Sequence, residues 1–211
     1  GLLGGSFNPI HNAHLEIAEQ AGLACGLERV IFIPAADPPH KKLAGDVPFE
    51  LRCRMVELAI AARPGFELSI IEGERSGKSY SIDTINAFRA KAPQNELFFI
   101  IGGDSFLEIG LWHRFDSIFR SCSLIVMERP GHETSDPLKA LPDGVRKSFC
   151  FEGETRRLIH SSGHTVYFVR GVPQKVSSTE IRRLAADGKN IDHLVPKDVA
   201  AYISQQRIYS E

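Results

Sequence analysis

Long apolar runs are missing from this chain. No stretch approaches the roughly 18 uninterrupted apolar residues that a membrane-spanning helix needs, so no membrane partner is expected. An excess of one charge sign is missing too. The 25 Lys and Arg side chains face 26 Asp and Glu, for a formal charge of -1. That balance argues against a polybasic binder of nucleic acid or membrane surface, while leaving room for a local cationic pocket for a small anion. Cysteine is scarce, at positions 25, 53, 122 and 150, with no C-x-x-C pair and no zinc-like spacing. The expectation is reduced thiols in the core of a cytoplasmic protein, and no metal centre. A charged n-region followed by an apolar h-region is absent, so no secretory signal is expected. The chain opens on Gly1 rather than Met, and Gly1–Gly5 already reads as the end of a strand. A few residues of the first strand are expected to precede it.

What is present belongs to an ordinary globule. At 211 residues, with 43% hydrophobic and 24% charged side chains, the chain is sized for a single domain spanning 1–211. Short apolar runs alternate with longer helical patterns, the signature of βαβ units and a parallel sheet. Strands are predicted at Leu2–Gly4, Arg29–Ile33, Phe66–Ile71, Glu96–Ile101, Ser123–Met127 and Thr165–Val169. Helices are predicted at His14–Cys25, Pro48–Ala62, Ser81–Lys91, Leu107–Phe119, Thr179–Ala186 and Lys197–Gln205. Residues 131–164, rich in Gly, Pro, Ser and charge, read as a loosely structured excursion. The fold class is α/β: a Rossmann-like, doubly wound parallel sheet with a small C-terminal helical part. Ligands of such sheets bind beyond the carboxyl ends of the strands, so chemistry is expected just after each apolar run.

The unusual residues stand there. The first run empties into Gly4-Gly5-Ser6-Phe7-Asn8-Pro9-Ile10-His11-Asn12-Ala13-His14. The glycines permit a sharp turn, and the following helix start offers N–H groups and a positive dipole end to an anion. His11 and His14, three apart, lie near one side of that helix start and can reach one phosphate chain. The string matches neither G-x-G-x-x-G nor the P-loop pattern, so neither a hydride-transfer cofactor nor a Walker-type ATPase is indicated. Lys41 follows two prolines and a histidine on a stiff, exposed loop suited to presenting a cation. Ser177-Ser178-Thr179-Glu180 has the form of a capping box with Ser177 as N-cap, and Arg182 on that helix suits two phosphate oxygens at once. Asp104 ends an apolar run after two glycines, as an N-cap would. Trp112 is the only tryptophan, and composition alone favours a core position for it.

The first string resembles the [HT]-x-G-H signature of the nucleotidylyltransferase superfamily. Further blocks resemble the bacterial nicotinate-nucleotide adenylyltransferase family. They are Pro38-Pro39-His40-Lys41, Ser79-Tyr80-Ser81-Ile82-Asp83-Thr84, Ile101-Gly102-Gly103-Asp104-Ser105-Phe106, Trp112-His113, Arg129-Pro130-Gly131 and Val176-Ser177-Ser178-Thr179-Glu180-Ile181-Arg182. They follow the family's order along nearly the whole chain. Ala13 stands where the signature usually has Gly, and Asn8 where Asp is common.

The resemblance implies ATP and nicotinic acid mononucleotide as substrates, magnesium held mainly through the ATP phosphates, and strand order 3-2-1-4-5-6. It assigns His11, His14, Lys41 and Arg182 to catalysis. It assigns Gly5, Ser6, Phe7, His14, Asp104, Ser177, Ser178, Thr179 and Arg182 to ATP, with Asp104 at the ribose or the metal. Lys41, Thr84, Trp112 and His113 fall to the acceptor, the tryptophan stacking on the pyridine ring. The glycine loop, the helix dipole, His11, His14, Lys41, Ser178, Thr179 and Arg182 together read as a cationic, hydrogen-bond-donating set. No G-x-S-x-G elbow or catalytically placed cysteine is visible, as suits attack by a phosphate that is already a dianion. A sister transferase acting on phosphopantetheine or another phosphorylated acceptor, and a nucleotide-binding regulator without turnover, are the alternatives.

Overall fold

The computed structural model describes residues 1–39, 47–129, 131, 133–171 and 176–210. The elements in chain order are β1 (Leu2–Gly5), α1 (Asn12–Cys25), β2 (Val30–Pro34), α2 (Phe49–Ile60), β3 (Phe66–Leu68), α3 (Ser81–Lys91) and β4 (Phe98–Gly102). Then come α4 (Gly103–Leu107), one 3-10 turn at Ile109–Leu111, α5 (Phe115–Phe119), β5 (Ser123–Glu128), α6 (Pro137–Ala140) and α7 (Asp143–Arg146). The chain ends with β6 (Phe149–Glu152), β7 (Arg157–His160), β8 (Thr165–Arg170), α8 (Ser178–Ala186) and α9 (Lys197–Gln205). The strands are hydrogen-bonded in the order β3-β2-β1-β4-β5-β8-β7-β6. The six expected strands thus appear in the expected order, with β8 as the sixth, and an unforeseen antiparallel hairpin extends the edge.

The chain divides into two compact units. The first comprises Gly1–Leu3, Gln20–Glu28 and Tyr80–Pro173. In it β4 pairs in parallel with β1 and β5, and β5 with β8; β7 and β6 follow antiparallel. Every residue of β5 is buried, as a continuous apolar run in a central parallel strand requires.

Residues 131–164 are more ordered than their composition suggests. Asp136 caps α6, accepting from the Lys139 N–H, with Pro137 in the first turn. The buried Glu128 carboxylate accepts from the Thr134 N–H at 2.7 Å and from Arg156 at 3.3 Å. His160 is buried with its ring against Phe149 and Phe119. The excursion is therefore anchored at a buried carboxylate and a buried aromatic cluster.

The helix predicted at Leu107–Phe119 is broken. Gly110 approaches Pro142 so closely that a Cβ there would sit 3.0 Å from its ring. Trp112 is extended and Arg114 is left-handed, with φ 50°.

The second unit comprises Gly4–Glu19, Arg29–Ser79 and Gln174–Glu211. Here β2 and β3 pair in parallel, Phe32 opposite Leu68. The expected strand Phe66–Ile71 stops early. The last ladder bond runs from the Ser69 N–H to the Phe32 carbonyl, and the next donor on β2 would be Pro34, which has no N–H. α2 packs against β2, β3 and α9, burying Met55, Val56 and Ile60 with Val199 and Ile203. Pro196 caps α9. Among the cysteines, Cys53 and Cys122 are buried and Cys25 is half-buried; Cys150, expected in the core, is exposed on β6, and all four are free thiols.

Candidate active site

In the second unit the loop after β1 is fixed from several directions. Neither Gly4 nor Gly5 takes a positive φ; the left-handed residue is Phe7, at φ 44°. Such a conformation costs a bulky side chain about 1 kcal/mol or more. The buried Phe7 ring offsets it, packing edge-on to His14 at 5.1 Å and against Phe32 at 5.8 Å. Gly5 leaves room for that ring, since a Cβ there would lie 3.1 Å from it and press on it.

Asn8 is buried, its carbonyl accepting from Arg182 Nη1 at 2.7 Å and its side-chain oxygen from the Tyr209 hydroxyl at 2.7 Å. The Pro9 carbonyl accepts from the Ser178 hydroxyl at 3.1 Å. Arg52, only 1% exposed, donates to the carbonyls of Ser6 and Ala35, both at 2.8 Å, and to that of Val47 at 3.4 Å.

His11 and His14 are stacked, ring centroids 3.7 Å apart. The expectation of cationic histidines is corrected here. Burial lowers the pKa of His11 to about 4. Burial, and then the neighbouring His11, holds His14 well below the usual histidine range. Both are neutral at pH 7. The His11 N–H donates to His14 Nδ1 at 3.2 Å, so the proton of neutral His14 resides on Nε2 and is available to donate. The helix start offers less than the sequence suggested. The Asn12 N–H is taken by the Leu194 carbonyl and that of His14 by the His11 carbonyl.

On α8, Ser177 caps the helix by accepting from the Glu180 N–H. Thr179 Oγ1 accepts from Arg182 Nη2 at 3.2 Å. The three hydroxyls Ser177, Ser178 and Thr179 are thus all engaged, and Arg182 acts one turn into α8, reaching back to Asn8. A guanidinium carries five N–H donors, so it retains some for an anion. Lys41 lies outside the described residues.

The first unit carries the other candidates. Asp104 stands in the first turn of α4 with its side chain 77% exposed, 3.4 Å from Arg129; the cap position belongs to Gly102. Trp112 is half-buried and meets Phe99 edge-on at 6.3 Å, so it is not a fully buried core residue. The exposed His113 stacks on Tyr80, centroids 4.2 Å apart. Thr84 is buried, with its hydroxyl 3.5 Å from the Tyr80 carbonyl.

Sequence reasoning missed Arg52, Tyr209 and Tyr80. Arg52 left a trace. It falls on the same helical stripe as Met55, Val56, Ala59 and Ile60, where a charged residue needs buried partners. Tyr209 left none.

Comparison with known proteins settles the family. The cytidylyltransferase-like family model matches residues 2–184. A Pelobacter propionicus protein named "Probable nicotinate-nucleotide adenylyltransferase" is 61% identical over 211 residues, covering 100% of this chain and 98% of that relative. The chain belongs to the nicotinate-nucleotide adenylyltransferase family. A relative of the same name from Geobacter metallireducens is 53% identical, covering 100% of this chain and 97% of its own. The family's Rossmann-like nucleotidyltransferase fold recurs in the nicotinic acid mononucleotide adenylyltransferase of Plasmodium falciparum complexed with NaAD. Its TM-score is 0.74 at 18% identity, covering 99% of this chain and 95% of that one. No helix among the described residues is long and apolar enough to cross a membrane.

Proposed function

We propose that this enzyme transfers the adenylyl group of ATP to nicotinic acid mononucleotide, releasing pyrophosphate and the acid dinucleotide. A phosphate oxygen of the mononucleotide attacks the α-phosphorus, and the bond from that phosphorus to the bridging oxygen breaks. The electron pair leaves on pyrophosphate. The attacking phosphate, with a second pKa near 6, is already a dianion, so no base and no enzyme nucleophile are required. The protein's task is alignment and stabilisation of the growing charge.

The observation that carries this reading is the His11–His14 pair at the start of α1, in a chain closely related to named adenylyltransferases over its full length. A neutral imidazole with its proton set on Nε2 donates to a phosphate oxygen without titrating during the reaction. Arg182 supplies fixed positive charge, and Lys41 a second. Gly5, Ser6 and Phe7, with the α8 start, take the ATP phosphates, and Asp104 the ribose. Trp112 stacks on the acceptor's ring, with His113 and the Thr84 segment beside it.

Among the described residues, no group of three or more His, Cys, Asp or Glu side chains is arranged to hold a metal, and Asp104 pairs with Arg129. Magnesium enters as part of Mg-ATP and shields the phosphates. An ATP-consuming transferase with free thiols belongs in the cytoplasm.

The test is pyrophosphate release from Mg-ATP with nicotinic acid mononucleotide, its amide analogue, phosphopantetheine or no acceptor. Release with the nicotinate nucleotide, at least 100-fold faster than with the amide, supports the assignment. Release with phosphopantetheine alone favours the sister transferase, and no release the regulator.

A further inference from the structure

The buried Arg52 lies on no motif that carries the adenylyltransferase resemblance, yet its contacts reach the loops at the ends of two strands. Its Nη1 donates at 2.8 Å both to Ser6, in the loop after β1, and to Ala35, immediately after β2. Its Nε lies 3.4 Å from the Val47 carbonyl, just before α2. Every acceptor it reaches among the described residues is a backbone carbonyl. The Phe49 ring lies beneath the guanidinium, 5.4 Å from its carbon. Gly73 makes room for that ring, because a Cβ there would come within 2.2 Å of it.

We infer that Arg52 is a positioning residue for ATP: one guanidinium sets the spacing of the loop after β1 against the loop after β2. Three features carry this. Both carbonyls belong to strand-end loops, one continuing to His11 and His14, the other leading toward Lys41 in the sequence. The loop after β1 includes a left-handed phenylalanine, a conformation that persists only where its surroundings over-determine it. A buried guanidinium costs desolvation energy that a purely space-filling role would not require, since an apolar side chain fills volume at less cost. Its charge is useful where it polarises two peptide groups and holds them together. Lysine cannot replace it. An ammonium is a point charge without the planar fork that keeps two separate carbonyls and a third in fixed directions.

This inference rests on the adenylyl-transfer reading for its kinetic consequences but not for binding. The test is therefore run twice on Arg52→Lys, at a temperature well below its Tm. Calorimetry with a non-hydrolysable ATP analogue reads nucleotide affinity without any acceptor, and pyrophosphate release reads turnover. The expected result is at least tenfold weaker analogue binding, matching one lost hydrogen bond to a charged group, and a matching rise in KM for ATP. In Arg52→Met, millimolar methylguanidinium restores part of the affinity and methylammonium does not. A purely structural arginine would lower Tm and leave the folded molecules binding normally. Should the lysine variant not fold, Phe49→Leu leaves Arg52 in place and removes the ring beneath it; analogue binding several-fold weaker is expected. Analogue affinity and KM for ATP within twofold of wild type in folded Arg52→Lys, or unchanged affinity in Phe49→Leu where the lysine variant fails, would overturn the inference. Absence of turnover in the wild type, with weakened analogue binding in the variant, would sink the adenylyl-transfer reading and leave the role of Arg52 intact.

Discussion

The loop after β1 and the segment around Trp112 are built on opposite plans. Ser6 to His14 is largely buried, and its carbonyls are claimed by side chains from α2, α8 and the C-terminal segment: Arg52, Ser178 and Arg182, with Tyr209 on the Asn8 side chain. Trp112 and His113 stand after a single 3-10 turn, followed by a left-handed Arg114, with His113 exposed. The first region is preorganised before any ligand arrives. The side chains of the second are held by ring contacts, Trp112 against Phe99 and His113 against Tyr80, with no side-chain hydrogen bond to its backbone among the described residues. Preorganisation is worth most where charge develops during reaction; an aromatic platform for a flat ring has less need of it. The proposed division of labour, phosphates to the first region and an aromatic acceptor to the second, makes use of that contrast.

The sharpest way to break the contrast is His14→Ala. Removing a preorganised donor that acts in the transition state costs about 10²–10³ in rate, so kcat should fall by that much with KM for ATP little changed. A fall smaller than roughly tenfold would mean the loop is rigid for some other reason. Next is Arg182→Lys, which loses the 2.7 Å bond to the Asn8 carbonyl along with the planar fork. KM for ATP should rise about tenfold or more, and Tm should drop because the loop loses a tie. Unchanged values of both would put Arg182 outside the work of the loop.

Trp112→Ala probes the second region. A lost ring stack is worth about 0.5–1.5 kcal/mol, so KM for the acceptor should rise up to about tenfold while KM for ATP stays put. The reverse pattern would assign the tryptophan to adenine.

The smallest effect concerns pH. The folded pKa of His11 is lowered to about 4, below its unfolded value near 6.5. The unfolded chain therefore binds the extra proton first, and stability falls as pH drops from about 6.5 to about 4, being unaffected above that window. Thermal melts from pH 7.5 to 4.5 should show Tm falling only in the acid half. His11→Asn should make that slope shallower without abolishing it, since His14, His160 and His164 are lowered by burial as well; an unaltered slope would mean His11 contributes nothing to it.

Sequence periodicity found the core strands because β4 and β5 are continuous apolar runs, and it found α3 and α9 with their observed limits. It failed where tertiary contacts decide. Pro34 cut β3 short by lacking a donor, Gly110 gave way to Pro142, and buried Glu128 ordered a stretch that composition marked as loop. At the site, residue types and spacing brought out His11, His14 and Arg182. Their protonation and their partners depend on burial and on residues as distant as Tyr209, which no local pattern records.

The central claim is direct transfer, with the loop after β1 stabilising charge and no group of the enzyme attacking phosphorus. Incubation with Mg-ATP labelled in the α-phosphate tests it most directly, with and without nicotinic acid mononucleotide, followed by an acid quench and analysis of protein and small molecules. The account predicts label in the acid dinucleotide in equal amount to the pyrophosphate released, only with the acceptor present, and none on the protein. Label on the protein in the absence of acceptor, or no acceptor-dependent dinucleotide, would contradict it.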